Sequence, residues 1–162
     1  MAVLAAVLMA ACGGATPGGG ASAAPLAGTP VTATPVVPAG PRTTRSAFAG
    51  PERDVIRSAD EWQAFWSRMT AGLDPAPAAP AVDFSRDMVL AAALGTRPTG
   101  GYGVAIEVAL DSATLRARVT ETRPGMGCMT TQALTSPVAI VRVPRSDAQV
   151  AWSDRVETRD CG

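Results

Sequence analysis

The amino-acid sequence predicts an α+β fold, with one amphipathic helix packed on a mainly antiparallel β-sheet of about five or six strands. Three observations predict it. Large apolar residues recur at helical spacing in one segment, Trp62, Phe65, Trp66 and Met69. Later segments alternate apolar and polar residues with the period of a strand. Clusters of Gly, Pro, Asp and Ser separate those segments, which is the punctuation of turns.

In chain order, Asp54–Arg57 reads as a short strand, and the period then changes. Ser58 followed by Glu61 forms a capping box that opens a helix over residues 59–71. Gly72 and the run Asp74-Pro75-Ala76-Pro77 stop it. An aromatic stripe at that spacing, in a chain with few aromatics, is the helix face that meets the core. After a Pro/Ala loop, Met88–Leu94 is a continuous apolar run bounded by Asp87 and Gly95, as expected of a central strand covered on both faces. Tyr102–Leu110 alternates, with Val104, Ile106, Val108 and Leu110 on one face and Gly103, Ala105, Glu107 and Ala109 on the other. Asp111-Ser112 makes a turn into Leu115, Ala117 and Val119, which alternate with Arg116, Arg118 and Thr120. This is an antiparallel hairpin with one wet face. Val138–Val143 and Val150–Val156 are expected to form a second pair around the turn Pro144-Arg145-Ser146-Asp147.

The N-terminal part is organised differently. Met1–Ala11 is a short apolar run, too short to span a bilayer, that ends at Cys12-Gly13-Gly14. Leu8-Met9-Ala10-Ala11-Cys12 resembles the lipobox of bacterial lipoproteins, in which the cysteine becomes the lipid-modified first residue. Residues 1–12 are therefore expected to be a signal peptide ending in Cys12, and the protein to be exported and lipid-anchored to the outer face of a membrane; an ordinary secretory signal cut after Ala11 is the alternative. Of the 33 residues from 13 to 45, 27 are Gly, Ala, Pro, Ser or Thr, too little apolar area to offset ordering. They read as a disordered tether with a reach between roughly 30 Å as a coil and about 100 Å extended. The globular domain is then residues 46–162, long enough for one modest core.

Composition removes several classes of function. Fourteen Arg balance fourteen Asp and Glu, so no basic stripe is available for phosphate neutralisation and nucleic acid is excluded as a partner. The chain has no His and no Lys, which removes Ser-His and Cys-His nucleophile activation, His-ligated zinc, Schiff bases and the phosphate-loop lysine. No catalytic residue, cofactor or metal is expected. Two carboxylate pairs, Asp83 with Asp87 and Asp154 with Asp160, are the candidates for acid/base hydrolysis, although turns and solvated charges explain them as well. With Cys12 assigned to lipid, Cys128 and Cys161 remain as a disulfide pair, as an exported chain can keep.

Two Gly/Pro-rich loops stand out between strands. The first is Thr96-Arg97-Pro98-Thr99-Gly100-Gly101-Tyr102; the second runs from Arg123 to Gln132 through Gly125-Met126-Gly127-Cys128. Such loops can bind an extended peptide or an anion, or be plain turns. Val55-Ile56-Arg57-Ser58, Glu61-Trp62, Trp66, Asp83-Phe84-Ser85, the strand from Met88, Arg97 to Tyr102, Gly127-Cys128, Thr131 to Pro137 and Val141-Arg142-Val143-Pro144 together resemble the C-terminal domain family of the protease complex subunit PrcB, over roughly residues 50–150. Members of that family are typically bacterial envelope lipoproteins, and its founding member associates with a surface serine protease. The resemblance implies a non-catalytic accessory domain that binds or stabilises a partner protein. On our own reading of the loops, Arg97, Pro98, Thr99, Gly100, Gly101 and Tyr102 are the expected partner-binding loop. Two alternatives stand beside it. One is a protease inhibitor, since the paired Gly-rich loops are loosely similar to the wedge loops of chagasin-type inhibitors; the other is a small-ligand-binding or structural envelope domain.

Overall fold

A computed structural model describes residues 24–37 and 45–161. Eight strands and one helix follow one another: β1 (Thr29–Val31), β2 (Thr34–Pro35), β3 (Glu52–Ile56), α1 (Ala59–Met69), β4 (Asp87–Ala93), β5 (Gly103–Asp111), β6 (Thr114–Pro124), β7 (Val138–Pro144) and β8 (Gln149–Arg159). The strands form two four-stranded sheets, β1-β5-β6-β8 and β2-β7-β4-β3, rather than the one sheet of five or six strands expected. All pairings are antiparallel except β6 with β8.

The helix starts as its sequence dictates. The Ser58 hydroxyl accepts from the Glu61 amide at 3.3 Å, and the Glu61 carboxylate accepts from the Ser58 and Arg57 amides at 3.2 and 2.7 Å. Its end comes at Met69, where Thr70 turns its hydroxyl onto the Trp66 carbonyl at 2.8 Å. Trp62, Phe65, Trp66 and Met69 are all buried, together with Phe48, against Val89, Ala91, Val138 and Ile140. The Pro/Ala loop is tied down by the same aromatics, since the Trp62 and Trp66 indoles donate to the carbonyls of Pro80 and Pro77 at 2.9 and 2.7 Å.

Strand β4 explains why its sequence does not alternate. Val89 and Ala91 face the helix, while Met88, Leu90 and Ala92 face a second core shared with Ile106, Val108, Leu115, Ala117 and Val119 of the other sheet. The layers are therefore α1, then the sheet of β3, β4 and β7, then the sheet of β5, β6 and β8. The β5–β6 hairpin turns through Ser112, which takes a left-handed φ of 54°.

Two expectations are corrected here. Val138–Val143 and Val150–Val156 are not partners: β7 lies beside β4, and β8 crosses to the other sheet to run parallel to β6. The reason is burial, because Val150 and Trp152 pack into the inter-sheet core. The connecting segment is held by Arg145, which donates to the carbonyls of Arg57 and Phe84 at 2.9 and 2.8 Å. The tether expected over residues 13–45 also gives way between 24 and 37. There β1 pairs with β5 and β2 with β7, so this short segment steps from one sheet to the other, with Val31 and Ala33 against the inter-sheet core. The signal peptide and Cys12 lie outside the described residues, as does the rest of the tether apart from Arg45.

Candidate functional site

The two Gly-rich loops meet at one end of the sandwich, and the first is tucked onto the second. Arg97 and Thr135 exchange backbone bonds at 2.7 and 3.0 Å, the Gly100 amide donates to the Thr131 carbonyl at 2.9 Å, and the Thr135 hydroxyl donates to the Thr99 carbonyl at 2.9 Å. Gly100 is buried, and a Cβ there would collide with the Thr131 hydroxyl. Gly101 has φ +86° and lies under Pro124 and Thr130, so both glycines are explained by the packing of one loop on the other.

A buried carboxylate anchors this junction. Glu121 continues the inward face of Leu115, Ala117 and Val119 and is only 8 % exposed. Arg97 grips it with Nε and Nη2, each at 3.1 Å, and Arg123 adds bonds at 2.9 and 3.3 Å. Burial pushes the Glu121 carboxyl upward, but the bonds from Arg123 and Arg97 outweigh it and hold the group below the ordinary glutamate range. Arg97 also donates to the Leu94 carbonyl at 2.9 Å and lies 5.9 Å from the centre of the Tyr102 ring. Arg97 is thus committed to the fold. Pro98 and Gly101 are exposed, while Thr99 and Tyr102 are half-buried. Tyr102 borders an apolar cavity of about 420 Å³ at the seam between the sheets, with Val104, Ile106, Pro137 and Val138.

The second loop has a different surface. Cys128 and Cys161 form a disulfide across 33 residues of sequence, and the Gly125 amide donates to the Arg159 carbonyl at 2.9 Å, so the loop is stapled to the end of β8. Beyond that staple, Met126 and Met129 are fully exposed and Leu134 is 72 % exposed. Sequence reasoning singled out this loop for its glycines but assigned the partner surface to residues 97–102. The signal that could have found the apolar tips was present, in two methionines within a Gly/Thr-rich stretch that has no strand period to bury them.

The carboxylate pairs are not brought together as acid/base sites. Asp83 accepts from the Ser85 amide and hydroxyl at 3.0 and 2.6 Å as a turn former, which keeps its carboxyl below the usual range. Asp87 pairs with Arg142 at 3.5 Å, and Asp154 with Arg53. Asp160 lies against Gly125. Among the described residues no cluster of His, Cys, Asp and Glu is arranged to hold a metal ion, and no helix is long and apolar enough to cross a membrane.

This geometry defines a two-sheet, helix-backed domain that presents a disulfide-stapled apolar loop over an arginine-clamped carboxylate. The family model described as PrcB C-terminal matches residues 88–144, from the central strand β4 through both loops to the end of β7. No curated protein and no solved structure matches the chain.

Proposed function

We propose that this protein is a lipid-anchored, non-catalytic envelope protein whose PrcB-like domain binds or stabilises a partner protein, with a secreted or surface protease as one candidate. The observation that supports this reading best is the exposure of Met126 and Met129 on a loop whose base is fixed by the disulfide and by the Arg97–Glu121–Arg123 cluster, with Leu134 exposed two residues after that loop. Methionine is flexible and polarisable, so it adapts to a partner's apolar surface. A fixed base lowers the ordering cost of docking. The family match over residues 88–144 spans the same loops. Membrane attachment through lipid on Cys12 would hold the domain at the outer face of a membrane, with two acyl chains giving stable anchoring where one is marginal.

The test is a crosslinking pull-down from native envelopes with the full-length protein, run beside Met126→Ser/Met129→Ser and Tyr102→Ala. Capture of a defined envelope protein should fall roughly tenfold or more in the double variant, since losing two apolar contacts of hot-spot size removes well over 1.4 kcal/mol. The melting temperature should stay at the wild-type value, because both side chains are already in water. Equal capture by wild type and double variant would remove the loop from the interface. Inhibition of an added papain-type protease by the purified protein would instead favour the inhibitor reading.

A further inference from the structure

The free edge of β8 carries an inference that is independent of the loop pair. Strand β8 is 11 residues long and pairs on one side only, in an unbroken parallel register with β6 from Thr114↔Gln149 to Pro124↔Arg159. The direction of its backbone groups follows from the neighbouring pairings. A two-residue hairpin makes Asp111↔Thr114 a hydrogen-bonded pair. The even-numbered residues of β6 therefore bond to β5, and its odd-numbered residues, such as Leu115 and Val119, turn their N–H and C=O toward β8. In a parallel pair such a residue bonds to the two flanking its partner, so Gln149, Ala151, Ser153, Arg155, Glu157 and Arg159 point at β6. The Gly125 amide on the Arg159 carbonyl, at 2.9 Å, is the bond this parity requires. The backbone N–H and C=O groups of Val150, Trp152, Asp154, Val156 and Thr158 are left pointing away from β6, and among the described residues they have no partner.

Long exposed edges are normally blunted by bulges, proline or mismatched charge. This edge has no bulge and no proline, and its charges are self-complementary. We infer that β8 pairs antiparallel with β8 of a second copy of this chain, about a two-fold axis through Val156. In that register the outward-pointing Val156 meets Val156 of the other copy, and Asp154 meets Thr158, giving about six backbone hydrogen bonds. The closer, non-hydrogen-bonded positions set Arg155 of each copy opposite Glu157 of the other, so two ion pairs form where a shifted register would bring like charges together. Val156, which is 50 % exposed in the single chain, is covered at the centre. Within one chain the same two side chains already sit on one face, 2.9 Å apart, so the pairs extend an existing row of charge.

The experiment is sedimentation velocity on the full-length chain in mild detergent, over a dilution series, with a melting curve for each variant. Wild type should show a concentration-dependent dimer. Arg155→Glu and Glu157→Arg should each weaken it roughly tenfold or more, because each turns both cross-strand pairs into like-charge pairs. Mixing the two variants should restore wild-type affinity as a heterodimer, since the two carboxylates that the first variant carries at these positions then face the two guanidiniums of the second. Restoration in the mixture is what an intrachain role of the Arg155–Glu157 pair would not produce, and it holds even if the single variants melt somewhat lower. A wild-type monomer at every concentration, unchanged dimerisation in either variant, or no restoration on mixing would each overturn the inference, and a monomer whose β8 edge takes up a different partner's strand would do so as well.

Discussion

Glu121 lies on the inward face of β6 but is charged, and the two guanidiniums on it decide what that arrangement is worth. Its folded carboxyl lies below the ordinary glutamate value, so the stability it contributes is fully present above that value and is lost as pH falls through the lowered one. Asp54 has the opposite sign, since burial raises its carboxyl, and it is common to wild type and variant alike. Glu121→Gln should therefore cost about 2 kcal/mol at neutral pH, because it leaves Arg97 half-buried without its anion. That corresponds to a melting temperature lower by about 8 °C. The gap to wild type should close as pH is taken below the ordinary glutamate range of about 4.3. Melting curves at neutral and acid pH check both, and a gap that is independent of pH would show that the carboxylate charge is not what stabilises the junction. Glu121 was legible in principle, since period two places it inward after Leu115, Ala117 and Val119. The role of Arg97 was not, because its partner lies 24 residues away across a loop whose path the sequence does not specify.

At the scale of elements, the parts that declare themselves locally were legible. The capping box and aromatic stripe gave α1 to within two residues, and the unbroken apolar run of β4 marked a strand covered on both sides. The alternating hairpin β5–β6 was equally clear. Elements whose identity depends on a distant partner were not. Strand β8 has a period that fits either a hairpin with β7 or a parallel edge beside β6, and only the inter-sheet burial of Val150 and Trp152 decides between them. The pairing of Cys128 with Cys161 belongs to this scale, because it fastens the loop after β6 to the end of β8. Replacing both cysteines by serine should destabilise the domain by about 3 to 4 kcal/mol in the chain-entropy account of a loop of this length. Denaturant unfolding measures it. Non-reducing peptide mapping should recover the two cysteines in one linked pair, and two free thiols in the natively expressed protein would exclude the staple.

For the whole molecule, the question is how two sheets that share a core are kept in register at their open sides. On one side Arg53 of β3 bonds the Ala93 carbonyl at 2.8 Å and reaches across to Asp154 of β8. On the other, residues 29–36 act as a strap, with Thr29–Val31 on β5, Thr34–Pro35 on β7, and the Val36 amide on the Ile140 carbonyl at 2.9 Å. Composition hid this strap, because Gly, Ala, Pro and Thr there carry little apolar area. What orders the segment is sheet edges already built by residues far along the chain. Pro30 and Pro35 sit in it as edge strands allow, since neither position is flanked on both sides. Deleting residues 1–36 should therefore lower stability by on the order of 2–3 kcal/mol, through the lost backbone bonds and the uncovering of Val31 and Ala33 contacts. In hydrogen exchange, the amides of β5 that face the strap and those of β7 near Ile140 should lose protection, while β4 and the β4–β3 ladder keep theirs. An unchanged exchange pattern would mean that the strap adds no constraint, and that the Arg53–Asp154 side and the shared core hold the sheets together without it.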